Sequence, residues 1–223
     1  MQLERPVPYL VLVPAYRPSA GLVDLVRDLA AAGTAYDVLG LLGDVAPAPD
    51  VLARLGATWL GPTDAIASLP TGTAYVVAVA DAVARERLAA QADAEGHEAV
   101  TLRHPSAVIG TDVRIAAGVV IAAHCSLTSN IALGRHVHVD RASTVGHDAV
   151  LEDFVRLNPG AIVSGNVTLR RGSTLGTGAV TRQGVEVGAG TYVGAGAAVV
   201  SDLPAGVVAV GVPARAIRDA DRG

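Results

Sequence analysis

The chain has 223 residues, of which 51% are apolar and only 3% aromatic, so it can bury a sizeable core made mainly of aliphatic side chains. Its formal net charge of -4 argues against a general nucleic-acid-binding protein, which needs a basic face. The single cysteine, Cys125, excludes an internal disulfide, and the lack of lysine excludes Schiff-base and P-loop lysine chemistry.

The beginning of the sequence, "MQLERPVPYL", does not have the basic start and apolar stretch of a signal peptide. No run of uncharged apolar residues is long enough to predict a transmembrane helix. We therefore expect a cytoplasmic protein without a membrane partner.

The first 103 residues alternate between strand and helix patterns. Apolar residues recur at helical spacing from Leu22 to Leu29, and this predicted helix ends at Gly33. The alternation predicts a small parallel α/β domain over residues 1–103. The predicted elements, in chain order, are the strand YLVLVPA, the helix SAGLVDLVRDLAAAG, the strands DVLGLLGD and AYVVAVAD, the helix AVARERLAAQADAEG and the strand EAVTL.

From Ile109 to Val199 every sixth residue is aliphatic, with Thr181 as the one exception among sixteen positions. A six-residue period fits neither an α-helix nor a hairpin sheet, whereas recurrent hexads are typical of a parallel β-helix. With three hexads in each coil, residues 18 apart in the sequence stack at the ordinary strand spacing of about 4.8 Å. We therefore predict a β-helix over residues 104–203, a tail over residues 204–223 and a core position for Cys125.

Two segments of the predicted β-helix resemble those of a known family. "STVGHDAVLEDF" resembles the V-x-H-[DE] segment of the left-handed β-helix acyltransferases, and the coils from Val167 to "GVPAR" resemble their coenzyme-binding coils and closing tail. With the α/β domain ahead of "HPSAVIG", the chain resembles the NeuD-like and PglD-like sugar acetyltransferases. The resemblance implies a Rossmann-like N-terminal domain, a left-handed β-helix and a homotrimer. It also implies N- or O-acetyl transfer from acetyl-CoA to a sugar, an amino sugar or a related small molecule, with no metal.

His147 is the third residue of its hexad, and Gly165 occupies the same position one coil later. A glycine stacked beside a histidine leaves an open notch with a bare backbone N–H. An imidazole can take a proton from an acceptor group there, and the N–H can stabilise an oxyanion. The resemblance implies these roles for His147 and Gly165, and it implies that Asp148 orients the base. By contrast, we expect His136 and His138 to be surface or subunit-interface residues.

Binding residues are predicted on other faces of the coil. Small side chains at Thr177 and Ala195, which stack one coil apart, let a pantetheine arm run along the backbone, and Arg215 can meet a phosphate. The resemblance places Arg156 on the coenzyme side, where PglD-like members have histidine. It places Asp140 on the substrate side, where the family usually has asparagine. Asp140 and Arg156 together predict an altered acceptor or acyl group.

The loop "VPAYRPSAG" departs from the resembling family, which usually has a glycine-containing turn after the first strand. Pro14 and Pro18 have no N–H to donate, and with Tyr16 they hinder the approach of a diphosphate to the backbone. We therefore predict weak or absent binding of nucleotide sugars and an acceptor held mainly by residues of the β-helix. Asp44, at the end of the second strand, is the remaining candidate for a nucleotide contact.

Two other interpretations stay open from the sequence. A γ-type carbonic anhydrase is also a left-handed β-helix trimer, but its zinc needs three histidines that include a pair five residues apart, and no two histidines here have that separation. A non-catalytic scaffold or binding subunit is the second alternative. The Gly146-His147-Asp148 segment argues against it.

Overall fold

The computed structural model describes residues 9–14 and 20–220, and these residues divide into two compact units. The first unit contains the described residues up to Ala80 together with Ala84–Val100. The second contains Asp81–Val83 and the described residues from Thr101 onward. Within this part of the chain, no helix is long and apolar enough to cross a membrane.

A five-stranded parallel sheet with the strand order β3-β2-β1-β4-β5 forms the centre of the first unit. Leu10–Val13 and Tyr75–Val77 are at most 1% exposed, as expected for central parallel strands that are buried on both faces. The elements are β1 (Tyr9–Pro14), α1 (Ala20–Ala31), β2 (Asp37–Leu42), α2 (Pro49–Leu55), β3 (Trp59–Gly61), a 3-10 helix (Thr63–Ser68), β4 (Ala74–Ala78), α3 (Ala82–Ala94) and β5 (Glu98–Ala99).

The strands and helices predicted in this unit are present, but α2, β3 and the 3-10 helix were not predicted. Helix α2 has only seven residues, which is too short for a periodic apolar pattern. Its signals are Pro49 at its start and Gly56, which has a φ of 57° at its end. The predicted strand EAVTL is two strands, because Leu102–Arg103 pairs with Val120–Ile121 in the second unit rather than with β4.

The second unit is a parallel β-helix whose two-residue strands build three sheets. Its strands are β6 (Leu102–Arg103), β7 (Val108–Ile109), β8 (Arg114–Ile115), β9 (Val120–Ile121), β10 (Ser126–Leu127), β11 (Ala132–Leu133), β12 (His138–Val139), β13 (Thr144–Val145), β14 (Val150–Leu151), β15 (Arg156–Leu157), β16 (Ile162–Val163), β17 (Thr168–Leu169), β18 (Thr174–Leu175), β19 (Val180–Thr181), β20 (Glu186–Val187), β21 (Tyr192–Val193) and β22 (Ala198–Val199).

Consecutive strands go to the three sheets in turn. Sheet I contains β7, β10, β13, β16, β19 and β22, and sheet II contains β8, β11, β14, β17 and β20. Sheet III contains β6, β9, β12, β15, β18 and β21, and the tail extends it with β23 (Val207–Val210) and the antiparallel β24 (Arg215–Asp219). The turns between successive strands form three columns of corners, which we name the I–II, II–III and III–I corners after the sheets that they join.

The second residue of each coil strand from β7 to β22 faces the core. The predicted series is buried from Ile121 to Val199, and Ile109 and Ile115 at its start are partly buried. Cys125 is 1% exposed, as predicted, and burial raises the pKa of its thiol to about 11. The inward ladder and the core position of Cys125 are therefore confirmed.

Backbone hydrogen bonds hold each coil to the next. The Val120 N–H donates to the Val137 carbonyl at 3.0 Å, and bonds with the same sequence offset recur along the three sheets. Strand partners lie one full coil apart, as in the pair Thr144 and Ile162. This register makes columns of residues that share one position in successive coils.

The I–II corner contains a column of residues with left-handed backbone. Its non-glycine members have a φ between 53° and 60° and are Asp112, Asn130, Asp148 and Asn166, and Gly184 continues the column with a φ of 76°. Asp and Asn tolerate this conformation better than most side chains, because their short polar groups bond locally. The column therefore uses residues that also carry hydrogen-bonding groups.

Candidate active site

His147 lies in the I–II corner between β13 and β14, directly beside the backbone of Gly165 in the next coil. A Cβ atom on Gly165 would lie 2.5 Å from Nε2 of His147 and 2.7 Å from Cε1. A Cβ atom on Gly146 would lie 2.5 Å from the Gly165 nitrogen. Both glycines are therefore needed for the close approach of imidazole and backbone.

Asp148 holds the imidazole in one orientation. Nδ1 of His147 lies 2.7 Å from Oδ2 of Asp148, and the two side chains are 54% and 48% exposed. A carboxylate only accepts hydrogen bonds, so Nδ1 carries the proton and the neutral ring has its lone pair on Nε2. The nitrogen beside Gly165 is therefore the basic one.

Asn130 supports Asp148 from the preceding coil. Its Nδ2 donates to Oδ1 of Asp148 at 2.6 Å, and the Asp148 N–H donates to the carbonyl of Ser129 at 3.1 Å. Hydrogen bonds from His147 and then from Asn130 hold the pKa of Asp148 below its ordinary value, so it is ionised at neutral pH. Asn130 was not predicted, although its position one coil before Asp148 is a signal that the repeat provides.

The N–H of Gly165 is available to a ligand. Within the described part of the chain it has no hydrogen-bond acceptor, whereas the next N–H, that of Asn166, donates to the His147 carbonyl at 2.7 Å. A lone-pair nitrogen and a glycine whose N–H has no acceptor among the described residues thus lie in contact at a half-exposed corner. This arrangement can remove a proton from one group and stabilise negative charge on another.

Arg156 and Asp140 are brought together, but on sheet III and the III–I corner rather than beside His147. Nε of Arg156 donates to Oδ1 of Asn158 at 2.8 Å, and Nη2 lies 3.5 Å from Oδ2 of Asp140. Nη1 lies 3.3 Å from Nδ1 of His138. The Arg156 side chain is 17% exposed, and burial lowers its pKa from the ordinary value. A coenzyme contact of Arg156 stays a prediction.

The expectation that His136 and His138 lie on the surface is wrong. The two side chains are 0% and 5% exposed, respectively. His136 is buried because its ring stacks on Phe154, with centroids 5.3 Å apart, and packs against Gly118 on its other side. His138 is covered by Arg156 from the next coil. These histidines stabilise the β-helix from within one chain.

The other predicted binding residues lie in separate places. Thr177 and Ala195 share one column of the III–I corner and are both exposed, and the Gly196 N–H donates to the Thr177 carbonyl at 2.9 Å. Arg215 is exposed on β24, with Nη1 donating to the Ala214 carbonyl at 2.9 Å. In the first unit, Oδ1 of Asp44 accepts two hydrogen bonds from Thr63, one from its N–H at 2.9 Å and one from its hydroxyl group at 2.7 Å. These bonds lower the pKa of Asp44.

The nucleotide prediction rests on a loop that the structure describes only in part. Tyr16 and Pro18 of the loop "VPAYRPSAG" lie outside the described residues, and only Pro14 ends a described strand. Among residues 9–14 and 20–220, no group of three or more His, Cys, Asp and Glu side chains is placed to hold a metal ion.

Comparison with known proteins shows what the whole chain is similar to. One similar structure is the acetyltransferase domain of PglB from Neisseria gonorrhoeae FA1090, solved in complex with acetyl coenzyme A. It is 32% identical to this chain, with a TM-score of 0.82, and the match covers 95% of this chain and 100% of that chain. Perosamine N-acetyltransferase from Caulobacter crescentus, solved as a histidine-to-asparagine mutant in complex with CoA and GDP-perosamine, is 29% identical. That match covers 96% of this chain and 98% of the other, with a TM-score of 0.83.

A curated relative matches over a shorter length. GDP-perosamine N-acetyltransferase from Escherichia coli O157:H7 is 34% identical over 95 residues, so the match spans 43% of this chain and 43% of that protein. No family model matches the chain.

We predict that Gly165→Ala will displace the imidazole of His147, because the new methyl group would occupy the space of Nε2. A crystal structure of the variant is expected to show the bond from Nδ1 to Asp148, now 2.7 Å, broken or lengthened. Ser129→Ala is the control, since it changes the same column one coil before His147 without adding volume. An imidazole in its original position in Gly165→Ala would contradict the geometry.

Proposed function

This chain belongs to the hexapeptide-repeat sugar N-acetyltransferases, and on that premise we propose that it transfers an acetyl group from acetyl-CoA to the amino group of a sugar. The observation that carries the proposal is Nε2 of His147 packed against the backbone of Gly165, with Nδ1 held by Asp148. The relatives named above are N-acetyltransferases or an acetyltransferase domain, which favours an amine over a hydroxyl acceptor.

His147 is the general base of the proposed reaction. Nε2 takes a proton from the acceptor amine while the nitrogen of that amine forms a bond to the thioester carbonyl carbon. The bond from that carbon to sulfur then breaks, and His147 can return the proton to the departing thiolate. Asp148, which is ionised and accepts from Nδ1, steadies the positive charge that the imidazole gains.

Gly165 supplies the electrostatic part of the proposed reaction. Negative charge develops on the thioester oxygen as the amine attacks, and we propose that the N–H of Gly165, which has no acceptor among the described residues, bonds to it. Removal of one such donor typically lowers kcat by a factor of about 10²–10³. The contribution depends on a fixed direction of the N–H, because a donor that must turn during the reaction stabilises less.

The III–I corner is our proposed site for the coenzyme. Its small, exposed residues Thr177 and Ala195 stand beside Gly178 and Gly196, where a Cβ atom would meet nothing within 4 Å. This open strip of backbone fits an extended pantetheine arm, and Arg215 would hold a phosphate. Acetyl-CoA, when bound, supplies the activated acetyl group as a thioester.

We further propose a homotrimer with active sites between subunits. His147 lies in the I–II corner, while Thr177 and Ala195 lie in the III–I corner, so one chain presents the two halves of the site on different edges of its β-helix. Two adjacent subunits can bring a I–II corner against a III–I corner. Exposed apolar side chains on sheet I, Val108 at 66% and Ile162 at 45%, support burial of this surface between copies.

The remaining proposals concern fold detail and the acceptor. The all-parallel order β3-β2-β1-β4-β5 matches the first five strands of the Rossmann order, which supports a Rossmann-like first unit. The left-handed sense of the coil rests on the resemblance to left-handed β-helix acyltransferases. Asp140 remains the proposed acceptor contact on the β-helix. The relative that binds GDP-perosamine favours a nucleotide-linked amino sugar, whereas Pro14 and Pro18 disfavour a diphosphate contact.

Replacement of the proposed base tests the function. We expect His147→Ala to lower kcat by roughly 10²–10⁴-fold, because the proton acceptor is lost. The thermal transition should change little, since the side chain is 54% exposed. The assay follows free thiol release from acetyl-CoA with a panel of amino sugars. An equally active variant would place the base elsewhere, and a wild-type protein that does not bind acetyl-CoA would favour the scaffold alternative.

The trimer is tested by analytical ultracentrifugation at micromolar concentration. We expect a single species of three times the 22.5 kDa chain mass. Ile162→Arg on sheet I should weaken the assembly, because a charge would enter the proposed interface. A stable wild-type monomer would contradict the shared site.

The sequence of the loop after β1 predicts no micromolar binding of a nucleoside diphosphate. Calorimetry with GDP, UDP and their amino sugars measures this directly. Arg17 is the arginine of that loop and could contact a phosphate. Micromolar affinity that disappears in Asp44→Ala or Arg17→Ala would show that the first unit binds a nucleotide after all. Affinity that both variants retain would likewise overturn the prediction, and it would place the nucleotide contact at other residues.

A further inference from the structure

Thr181 is the one hydroxyl residue in the inward ladder, and its side chain is 4% exposed. It lies in β19 on sheet I, one coil beyond β16, which leads directly into Ser164 and Gly165. The ladder is otherwise aliphatic over sixteen positions. A buried hydroxyl in this series therefore needs a partner, and its partner is the residue next to Gly165.

Ser164 and Thr181 change the hydrogen bonding between two coils. In the coils on either side, the equivalent N–H groups bond to backbone carbonyls, from Gly146 to Val163 at 2.8 Å and from Arg182 to Val199 at 2.7 Å. The Ser164 N–H instead donates to Oγ1 of Thr181 at 3.0 Å. The Thr181 carbonyl is taken by Oγ of Ser164 at 2.6 Å.

This exchange interrupts the ladder at one point. Strands β13 and β16 pair at two positions, and so do β19 and β22, but β16 and β19 pair only at Ile162 and Val180. We call Ser164 and Thr181 the hydroxyl pair. It replaces one backbone bond with two bonds through side chains, so Ser164 lacks the regular backbone bond to the next coil although the register is kept.

The next peptide unit is the one that presents the Gly165 N–H. Its Ser164 end is anchored by the hydroxyl pair, and the Gly165 carbonyl on the other side accepts from the Gly184 N–H at 3.1 Å. Two anchors on either side of one N–H determine its direction. The N–H itself has no acceptor among the described residues, and the Cα of the same glycine packs against Nε2 of His147.

We propose that Thr181 and Ser164 are positioning residues that aim the Gly165 N–H at the oxygen of the reacting thioester. The inference rests on the proposed function for its catalytic meaning. Its structural part, the direction of the N–H, does not depend on that function. Neither hydroxyl touches the reacting atoms, and both act through the backbone of Gly165.

The variant Thr181→Val distinguishes the effect of the hydroxyl group on the backbone from its effect on core packing. Valine has the β-branched shape of threonine without the hydroxyl and matches the other ladder residues, so Thr181→Val keeps the core filled and allows the regular bond from Ser164 N–H to the carbonyl of residue 181. Thr181→Ser keeps the hydroxyl but removes a buried methyl group, which lowers stability. The two variants should therefore move activity and stability in opposite directions.

The experiment measures kcat, KM for acetyl-CoA and Tm for Thr181→Val, Thr181→Ser and Ser164→Ala, together with a crystal structure of Thr181→Val. For Thr181→Val we expect kcat to fall roughly 10–10²-fold, KM to stay unchanged and Tm to stay unchanged or rise. The crystal structure of this variant should show the Gly165 N–H turned from its original direction. Thr181→Ser should retain most of kcat at a lower Tm. Thr191→Val, which removes a buried hydroxyl bonded to the Pro204 carbonyl elsewhere in the coil, should lower Tm only.

The outcomes distinguish the two proposals. An active wild type with an equally active Thr181→Val overturns the positioning role and leaves the proposed function standing. A turned N–H in Thr181→Val, in a protein that transfers no acetyl group, overturns the proposed function and with it the catalytic meaning of the pair. An N–H that keeps its direction in Thr181→Val, or a loss of kcat that follows the loss of Tm across all variants, overturns the inference itself.

Discussion

Backbone hydrogen bonds between successive coils are the constraint on which the site depends. They hold partner residues of neighbouring coils in register, so a side chain is positioned by its column as much as by its sequence neighbours. His147 consequently meets Gly165, and Asp148 meets Asn130, although a full coil of the chain separates the members of each pair. A single inserted residue would shift the columns and separate these groups.

The corner that carries His147 also explains which residue types are used there. Its left-handed backbone favours Asn and Asp, and the repeat places them in one column, where Asn130 can donate to Asp148. Solvent exposure and two donors both favour the ionised form of Asp148, and the charged carboxylate then selects the proton position on His147. Backbone conformation, charge and tautomer are thus linked within two coils.

The close spacing of coils leaves no space for a side chain next to the imidazole, so the neighbouring position must be glycine. That requirement leaves the backbone of Gly165 uncovered next to Nε2. The residues that would bind the donor lie on a different edge of the β-helix. Assembly of the chain into a closed oligomer is therefore part of the proposed mechanism and not only a matter of stability.

The parts of the fold that depend on periodicity could be predicted from the sequence. The six-residue spacing predicted the inward ladder and the pairing of His147 with Gly165, because both depend only on counting residues. The burial of His138 could not be predicted, since it depends on how the long side chain of Arg156 folds over the neighbouring coil. Helix α2 was missed because seven residues contain too few turns to show a pattern.

The central claim is that Asp148 makes His147 a base by holding the proton on Nδ1, and Asp148→Asn tests it most directly. Asparagine tolerates the φ of 60° and keeps the oxygen that accepts from Asn130, but its amide would donate to Nδ1 and move the imidazole proton to Nε2. Asp112→Asn, with a φ of 56° in the same column, is the matched control. With acetyl-CoA and an amino sugar, kcat of Asp148→Asn is predicted to fall by at least about 10²-fold with Tm unchanged, while Asp112→Asn stays active. Full activity in Asp148→Asn would contradict the account.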